Sequence, residues 1–440
     1  FALSASDVAI IHGPPGTGKT TTIVELICQA ISKRQKVLAC APSNTAVDNL
    51  LEKLVDAGQK AVRLGHPARV SERLHEHTLD AQVARHELTD LIREMRREAE
   101  NLFRQAGKFT RAKPVHGAKR EMRQDAKRLK ADVRMLEQQA IDSIIDNANV
   151  VCATTTLDES LLGDRRFDLV VIDEACQSTE PGCWMPVLRA DRLVLAGDHC
   201  QLPPTVLSKQ AAKEGLEVSL LERLVGVYGD RVTRRLNVQY RMHDQIMNFS
   251  SEQFYDGTLQ SHGSVSGHVL TDLNYVDEQL VTIEPVTFID SAGAGWDEEI
   301  EPDGLSKRNI QEAELVLRKI TELQDAGLRG RDIAVIAPYA AQVRWLRQNS
   351  PDERVEIDTV DGFQGREKEA VIISLVRSNP EGEIGFLADA RRMNVALTRA
   401  RRKLIVIGDS ATVGGNDFFA ELLEYFEFIG AYHTVWEESI

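Results

Sequence analysis

A chain of 440 residues, 42% hydrophobic and 27% charged, has apolar material for two or three domains and the ordinary balance of a soluble protein. No apolar run is long enough to span a bilayer and the start lacks a basic lead and cleavage site, so a cytosolic or nuclear protein is expected. A formal charge of −14 argues against coating a polyanion with the whole surface and leaves any such contact to local patches.

The first strand is expected at residues 8–11. Gly13, Pro14, Pro15, Gly16, Thr17, Gly18, Lys19 and Thr20 follow it and match the phosphate-binding loop, and Thr21 opens a helical pattern over 21–32. In that setting backbone N–H groups curl round phosphates, the helix N-terminus adds positive potential, Lys19 reaches the β- and γ-phosphates, and the Thr20 hydroxyl can ligate Mg²⁺. Short apolar runs at 37–41, 150–153, 169–172 and 193–196 suit a parallel sheet covered on both faces.

Residues 66–146 are different in style, without strand signals and dense in Arg, Lys, Glu and Gln. Leu88, Ile92, Met95, Ala99 and Leu102 make one apolar seam; Met122, Ala126, Leu129, Val133, Leu136 and Ala140 make another. Gly107, Pro114 and Gly117 break helices between them, so an antiparallel helical hairpin is expected, inserted in the first α/β lobe. Its basic stretch from Arg104 to Arg134 reads equally as a phosphate-facing surface or as the solvated outside of a coiled coil.

Asp173 and Glu174 close the run 169–172, which puts two carboxylates at the C-terminal edge of a parallel sheet, where ligands collect. There Asp173 would hold Mg²⁺ through its water shell and Glu174 would take a proton from the water that attacks the γ-phosphate. Gln201, in the stretch 197–204 after the run 193–196, is placed to sense the γ-phosphate. The second half repeats the grammar at 286–289, 333–337, 370–375 and 404–407, while 290–303 reads as an exposed acidic loop with Gly293 and Gly295. Arg241 in 239–243 and Arg399 in 394–400 each offer positive charge for phosphoryl transfer, worth roughly 10³- to 10⁵-fold in rate when well placed. Either arginine reads otherwise as a surface ion-pair residue worth under about 1 kcal/mol.

The six cysteines, Cys28, Cys40, Cys152, Cys176, Cys183 and Cys200, lie in the first half without paired metal-ligand spacing. A set of Cys176, Cys183, His199 and Cys200 has no CxxC pair to anchor it, so the cysteines read as reduced thiols and magnesium as the only metal. The chain opens without a methionine and almost directly on a strand, and reads as a piece of a longer protein.

Taken in order, GPPGTGKTTT, APSNTAVDNL, LGHPAR, VVIDEACQ, AGDHCQLPP, VQYRMH, VDGFQGREKEAVI and RRMNVALTRARR resemble a superfamily 1 helicase, specifically the up-frameshift family of superfamily 1B. The phrases spread over nearly the whole chain. The resemblance implies two RecA-like P-loop lobes, the first over 1–65 and 147–227 with 66–146 inserted, the second over 228–440. It also implies that Arg241 and Arg399 meet the γ-phosphate, that Tyr240 packs on the base, and that Glu367, with Gly365 beside it, binds the ribose. For nucleic acid it implies contacts at Pro42, Ser43 and Asn44, at Thr154 and Thr155, at Pro338 and Tyr339, and at Thr359, Val360 and Asp361. Small polar residues and backbone of this kind track sugar and phosphate without reading bases.

The expectation is therefore an ATP- and Mg²⁺-dependent helicase or translocase moving 5′ to 3′ on single-stranded DNA or RNA, with ATP between two lobes and the chain monomeric. Two alternatives stay open: a translocase that does not unwind duplexes, and a nucleotide-controlled single-strand clamp. A ring-forming P-loop ATPase would leave QYRMH and NVALTRA without a place.

Overall fold

The computed structural model describes residues 1–107, 117–302 and 304–438. Two compact units organise them: Phe1–Ile10, Thr20–Ala196 and Pro204–Thr233 form the first, and Ile11–Lys19, Gly197–Pro203 and Arg234–Ile440 the second.

The first unit is built on a seven-stranded sheet in the order Ala61–Arg63, Val150–Thr154, Val37–Ala41, Leu169–Ile172, Leu193–Gly197, Val8–His12, Thr233–Arg235. Parallel registers run through its centre, with Val37 opposite both Val150 and Leu169, and Val170 opposite Leu193. Val37–Ala41 and Leu169–Ile172 are buried at every position, as strands covered on both faces must be. The two outermost strands escape the sequence reading because they are only three residues long and carry arginine. Helix Lys19–Ser32 follows the phosphate loop, and Asn44–Asp56 starts at Ser43, whose hydroxyl accepts the Ala46 N–H at 3.1 Å.

Within 66–146 the regular hairpin is narrower than expected. Its long helices are Thr89–Gly107 and Ala118–Asn147, while Pro67–Arg69 and Glu72–His77 are short 3₁₀ segments and Leu79–Ala84 a short helix. The helices pack on each other through Ile92, Ala99 and Ala106 on one and Ala126, Val133 and Ala140 on the other. Each set recurs every seven residues, and the alanines let the backbones approach. The remaining seam residues, including Leu102 and Leu129, are half-buried. Arg96 pairs with Glu137 across the hairpin, and the Lys130 ammonium lies 4.5 Å from the Phe103 ring centre. Of the expected basic stretch and its breakers, 108–116 with Pro114 lie outside the described residues.

In the second unit six strands pair in parallel in the order Glu356–Thr359, Ile333–Ala337, Lys368–Ser374, Ala400–Gly408, Val286–Asp290, Tyr432–Thr434. Ile333, Ala370 and Lys403 fall in adjacent register, and two apolar clusters cover the faces, one with Phe288, Met393 and Phe426, the other with Val316, Ile320 and Leu346. Glu356–Thr359 was invisible to pattern reading because it alternates acids with Ile357 and Thr359. The acidic segment read as a plain loop is partly ordered: Glu299–Ile300 pairs antiparallel with Lys307–Arg308, and Glu298 is buried against Arg377, 2.6 Å from its Nε. Asp303, the end of that segment, lies outside the described residues.

Candidate functional site

In the first unit the two magnesium candidates meet. The Thr20 hydroxyl donates to Asp173 Oδ2 at 3.2 Å, and the Asp173 backbone N–H is fixed by the Cys40 carbonyl of the neighbouring strand at 2.8 Å. Asp173 is buried at 2% exposure at this edge of the sheet. A hydroxyl and a carboxylate oxygen are the hard donors that suit Mg²⁺. Glu174 sits in the left-handed region at φ +52°, a conformation that costs a non-glycine residue about 1 kcal/mol or more. Its N–H returns to Asp173 Oδ1 at 2.8 Å and its Oε2 accepts Gln177 Nε2 at 2.7 Å, which over-determines the strained turn and aims the carboxylate.

Pro42, Ser43 and Asn44 follow the strand Val37–Ala41, and Thr154 and Thr155 end the neighbouring one; the Thr155 N–H donates to Ala41 O at 3.0 Å, so both groups share one sheet edge. Thr155 is buried, leaving Thr154, Ser43 and backbone toward solvent. Sequence reading did not single out Arg63. Its fully buried guanidinium donates to Asn44 Oδ1 at 2.8 Å and to Asp48 Oδ1 at 3.3 Å, tying the start of helix Asn44–Asp56 to the edge strand.

In the second unit Gly13 donates to the Gly197 carbonyl at 3.0 Å, which sets the phosphate loop beside the Asp198–Gln201 turn. Gly16 has φ +75° and accepts the Tyr240 N–H at 2.8 Å; a Cβ there would stand 2.7 Å from Arg241 Cβ. A Cβ on Gly13 would likewise meet the Lys19 side chain at 2.7 Å, so the loop lies closely under its own lysine. Pro14, Pro15 and Thr17 are buried, Thr17 hydroxyl donating to Pro14 O at 2.8 Å, while Gly18 is exposed. Thr21, one turn on, accepts Lys53 Nζ at 3.3 Å in the first unit.

Both arginines are held rather than loose. Arg241 donates to Thr398 O at 3.0 Å and pairs with Glu367; the expected ribose and γ-phosphate residues are thus brought together. Burial would raise the Glu367 carboxyl, but Arg241, Arg401 and Arg399 together hold it below its ordinary value. Arg399 is buried and donates to Gln201 Oε1 at 3.0 Å and to Val395 O at 2.9 Å. Tyr240 is exposed and stacks on His262 with ring centres 4.7 Å apart. Gly365 is open at φ +80°.

A buried polar network stands behind Gln201, joining residues of AGDHCQLPP and RRMNVALTRARR to His12 and Tyr255. Asp198 Oδ2 accepts Gln201 Nε2 and the Tyr255 hydroxyl, both at 2.7 Å; its Oδ1 faces His12 Nε2 at 2.9 Å. Burial pushes Asp198 upward, yet the hydrogen bond and charge of His12 bring it below the ordinary carboxylate value. Asn394 donates to the Tyr255 oxygen at 2.9 Å and to Cys200 O at 2.8 Å.

The remaining strand candidates divide by burial. Tyr339 is 6% exposed, its hydroxyl accepting Arg377 at 3.1 Å, and Val360 is 3% exposed, so neither presents a free side chain at the surface. Pro338 and Thr359 are half-buried, Thr359 Oγ1 accepting the Gly362 N–H at 3.2 Å, and Asp361 is exposed.

Two domain-family profiles, each described as an AAA domain, match residues 1–209 and 216–411. An ATP-dependent helicase of Methanocaldococcus jannaschii, uncharacterised, is 36% identical over 96% of this chain and 68% of its own length. The chain belongs to the superfamily 1B helicases of the up-frameshift family. Within that family the DNA-binding protein SMUBP-2 of Mesocricetus auratus, the immunoglobulin mu-binding protein 2, is 48% identical over 99% of this chain. The DNA polymerase alpha-associated DNA helicase A of Schizosaccharomyces pombe is 41% identical over 97% of this chain and 65% of that protein. This chain spans 44% of the length of the SMUBP-2 relative. No helix among the described residues is long and apolar enough to cross a membrane.

Proposed function

We propose that this chain is the motor core of an ATP-dependent helicase or translocase that moves 5′ to 3′ on single-stranded DNA or RNA. The observation that carries the reading is the Thr20–Asp173 contact at 3.2 Å, which sets a complete phosphate loop's hydroxyl against the first carboxylate of the acidic pair. Relatives named as a DNA helicase and as an ATP-dependent helicase support the same class of activity.

In this reading the backbone of Gly13–Thr20 and the Lys19 ammonium bind the β- and γ-phosphates. Glu174 accepts a proton from the attacking water, and its strained, doubly tethered turn keeps the carboxylate aimed. Thr20 and Asp173 would hold Mg²⁺, which supplies charge neutralisation on the phosphates. Arg241 and Arg399 place positive charge where it builds on the γ-phosphate, and Gln201, bonded to Arg399, reports the state of that phosphate to the Asp198 network. Tyr240 lies against the base and Glu367 and Gly365 against the ribose. On the strand side Pro42, Ser43, Asn44, Thr154, Thr155, Pro338, Tyr339, Thr359, Val360 and Asp361 grip sugar and phosphate without regard to base.

Steady-state ATPase with and without single-stranded DNA and RNA, at one fixed salt concentration, tests this. Strong stimulation by either polymer is expected and identifies the track. Unchanged hydrolysis with ATP still bound would refute the motor and return the chain to a nucleotide-controlled clamp.

A further inference from the structure

Among the described residues one group of metal-ligating side chains stands apart from the magnesium pair. His12 ends the strand that feeds the phosphate loop, and Asp198, His199 and Cys200 follow the neighbouring strand Leu193–Gly197, the two strand ends being joined by the Gly13–Gly197 hydrogen bond. One ligand atom from each of the four falls within 4.8 Å of every other. We propose that His12, Asp198, His199 and Cys200 form a transition-metal site that takes Zn²⁺ and restrains Gln201 when filled.

The donor set decides the ion. Two imidazoles, a thiol and a carboxylate are the mixed nitrogen, sulfur and oxygen ligands of zinc, whereas Mg²⁺ and Ca²⁺ take oxygen and keep water. Bonds of about 2.0–2.3 Å put tetrahedral ligand atoms roughly 3.3–3.8 Å apart, so the widest separation here need close by only about 1 Å, within the reach of side-chain adjustment. His12 and Asp198 are buried at 2% and 1% exposure, and the His12 and His199 ring centres are 4.6 Å apart. His199 Nδ1 is buried with no hydrogen-bond partner, a polar atom left without the interaction burial demands. Cys200 Sγ donates a long 3.4 Å bond to the Phe254 carbonyl, an interaction a thiol surrenders cheaply on coordination. The sequence speaks against a group of Cys176, Cys183, His199 and Cys200 and for magnesium alone; the atoms that converge on His199 and Cys200 come from His12 and Asp198.

Occupancy would act through Asp198. That carboxylate also receives Gln201 Nε2 at 2.7 Å, and Gln201 in turn receives Arg399 at 3.0 Å. Drawing Asp198 toward an ion pulls on the amide proposed to sense the γ-phosphate, so zinc is expected to slow ATP turnover; this consequence rests on the proposed function, while binding itself does not.

The test treats the whole chain with chelator, reloads it with ZnCl₂, removes excess metal by gel filtration, and measures retained zinc by mass spectrometry with affinity from competition against a chromophoric chelator. One zinc per chain is expected, with sulfur in the X-ray absorption shell. Cys200→Ser and His199→Gln, both at half-buried positions, should each weaken binding at least tenfold while circular dichroism stays native. Zinc held equally by both variants, a shell without sulfur, or no retention above a Mg²⁺ control overturns the site. Zinc is read without ATP, so its failure is independent of the motor; a zinc-free chain that does not hydrolyse ATP counts against the proposed function instead. With zinc, turnover of the unaltered chain should fall at least fivefold and recover on chelation, and equal inhibition of Cys200→Ser would refute the coupling.

Discussion

Arg63 offers the sharpest test of how the strand-facing edge of the first unit is held. Its guanidinium is completely buried and spends its donors on Asp48, Asn44 and the Leu64 carbonyl, while the second oxygen of Asp48 takes the Ser71 N–H at 3.0 Å. Arg63→Gln leaves the Asp48 carboxylate, 13% exposed, without its cation, and breaking a buried pair from one side costs about 3–5 kcal/mol. At about 1.4 kcal/mol per factor of ten, amides of helix Asn44–Asp56 should exchange roughly 10²- to several-thousand-fold faster if they open together. Arg63→Lys keeps the charge but cannot serve all three acceptors; removing the bond to Asn44 costs about 1–3 kcal/mol locally. Because Asn44 is a proposed strand contact, the lysine variant should need more single strand to half-stimulate ATPase, with turnover in the absence of strand unchanged. Hydrogen exchange by mass spectrometry, paired with oligonucleotide titrations of ATPase, measures both effects. Exchange in the glutamine variant within threefold of the parent would refute the argument that this pair organises the edge.

Glu174→Gln should bind ATP and single strand but lose turnover by at least about 10²-fold; near-normal hydrolysis would mean another group is the base. Gly16→Ala combines φ +75° with a Cβ 2.7 Å from Arg241 Cβ, so ATP affinity, measured by a fluorescent analogue, should fall at least tenfold, and unchanged binding would show the loop adapts freely. Replacing the exposed Arg120, Arg123 and Arg128 with Gln should lower strand affinity and shallow its salt slope by about 0.7 for each phosphate no longer neutralised, whereas an unchanged slope assigns that face to solvent. Glu312 is fully buried and its carboxyl is pushed up to about 7, mainly by burial, from an ordinary 4.5. The folded state then holds the proton more tightly than the unfolded one, so this group's stabilisation is complete below pH 4.5 and is lost as pH rises to about 7. Urea midpoints across that window should fall in the parent relative to Glu312→Gln, and parallel profiles would contradict the raised value.

The parts of this chain that were legible in sequence are those where one local rule suffices. The glycine-rich stretch 13–20 marks a turn between strand Val8–His12 and helix Lys19–Ser32, and Val37–Ala41 and Leu169–Ile172 are continuous apolar runs because both faces are covered. The hairpin seam was readable for the same reason, a period visible along one stretch of chain. Arg63, Tyr255 and Asn394 were not, because their partners are distant: Tyr255 meets Asp198 from 57 residues away and Asn394 meets Cys200 from 194. Glu298 was hidden in an acidic segment whose composition says solvent, while its burial depends on Arg377, 79 residues on. The exposure of motif residues was equally illegible, since nothing in the phrase around Tyr339 says that the residue is packed away.

Two buried acids of the second unit, Glu312 and Asp198, show why such long-range pairs exist. Glu312 accepts Ser374 Oγ at 2.6 Å and the Val376 N–H at 3.0 Å, and Val376 stands at φ +70°, a conformation a β-branched residue adopts only under compulsion. The turn that leaves the strand Lys368–Ser374 is therefore fixed by a carboxylate from another helix, not by its own residues. Asp198 does the corresponding work after the strand Leu193–Gly197, collecting His12, Gln201 and Tyr255 on one side chain. Local sequence places both turns at a sheet edge, but their shape depends on partners distant in the chain: Glu312 for Ser374 and Val376, and His12 and Tyr255 for Asp198. A buried acid tethered in this way sets the shape at the cost of desolvation, and any change in its protonation or ligation is passed directly to the loop it holds.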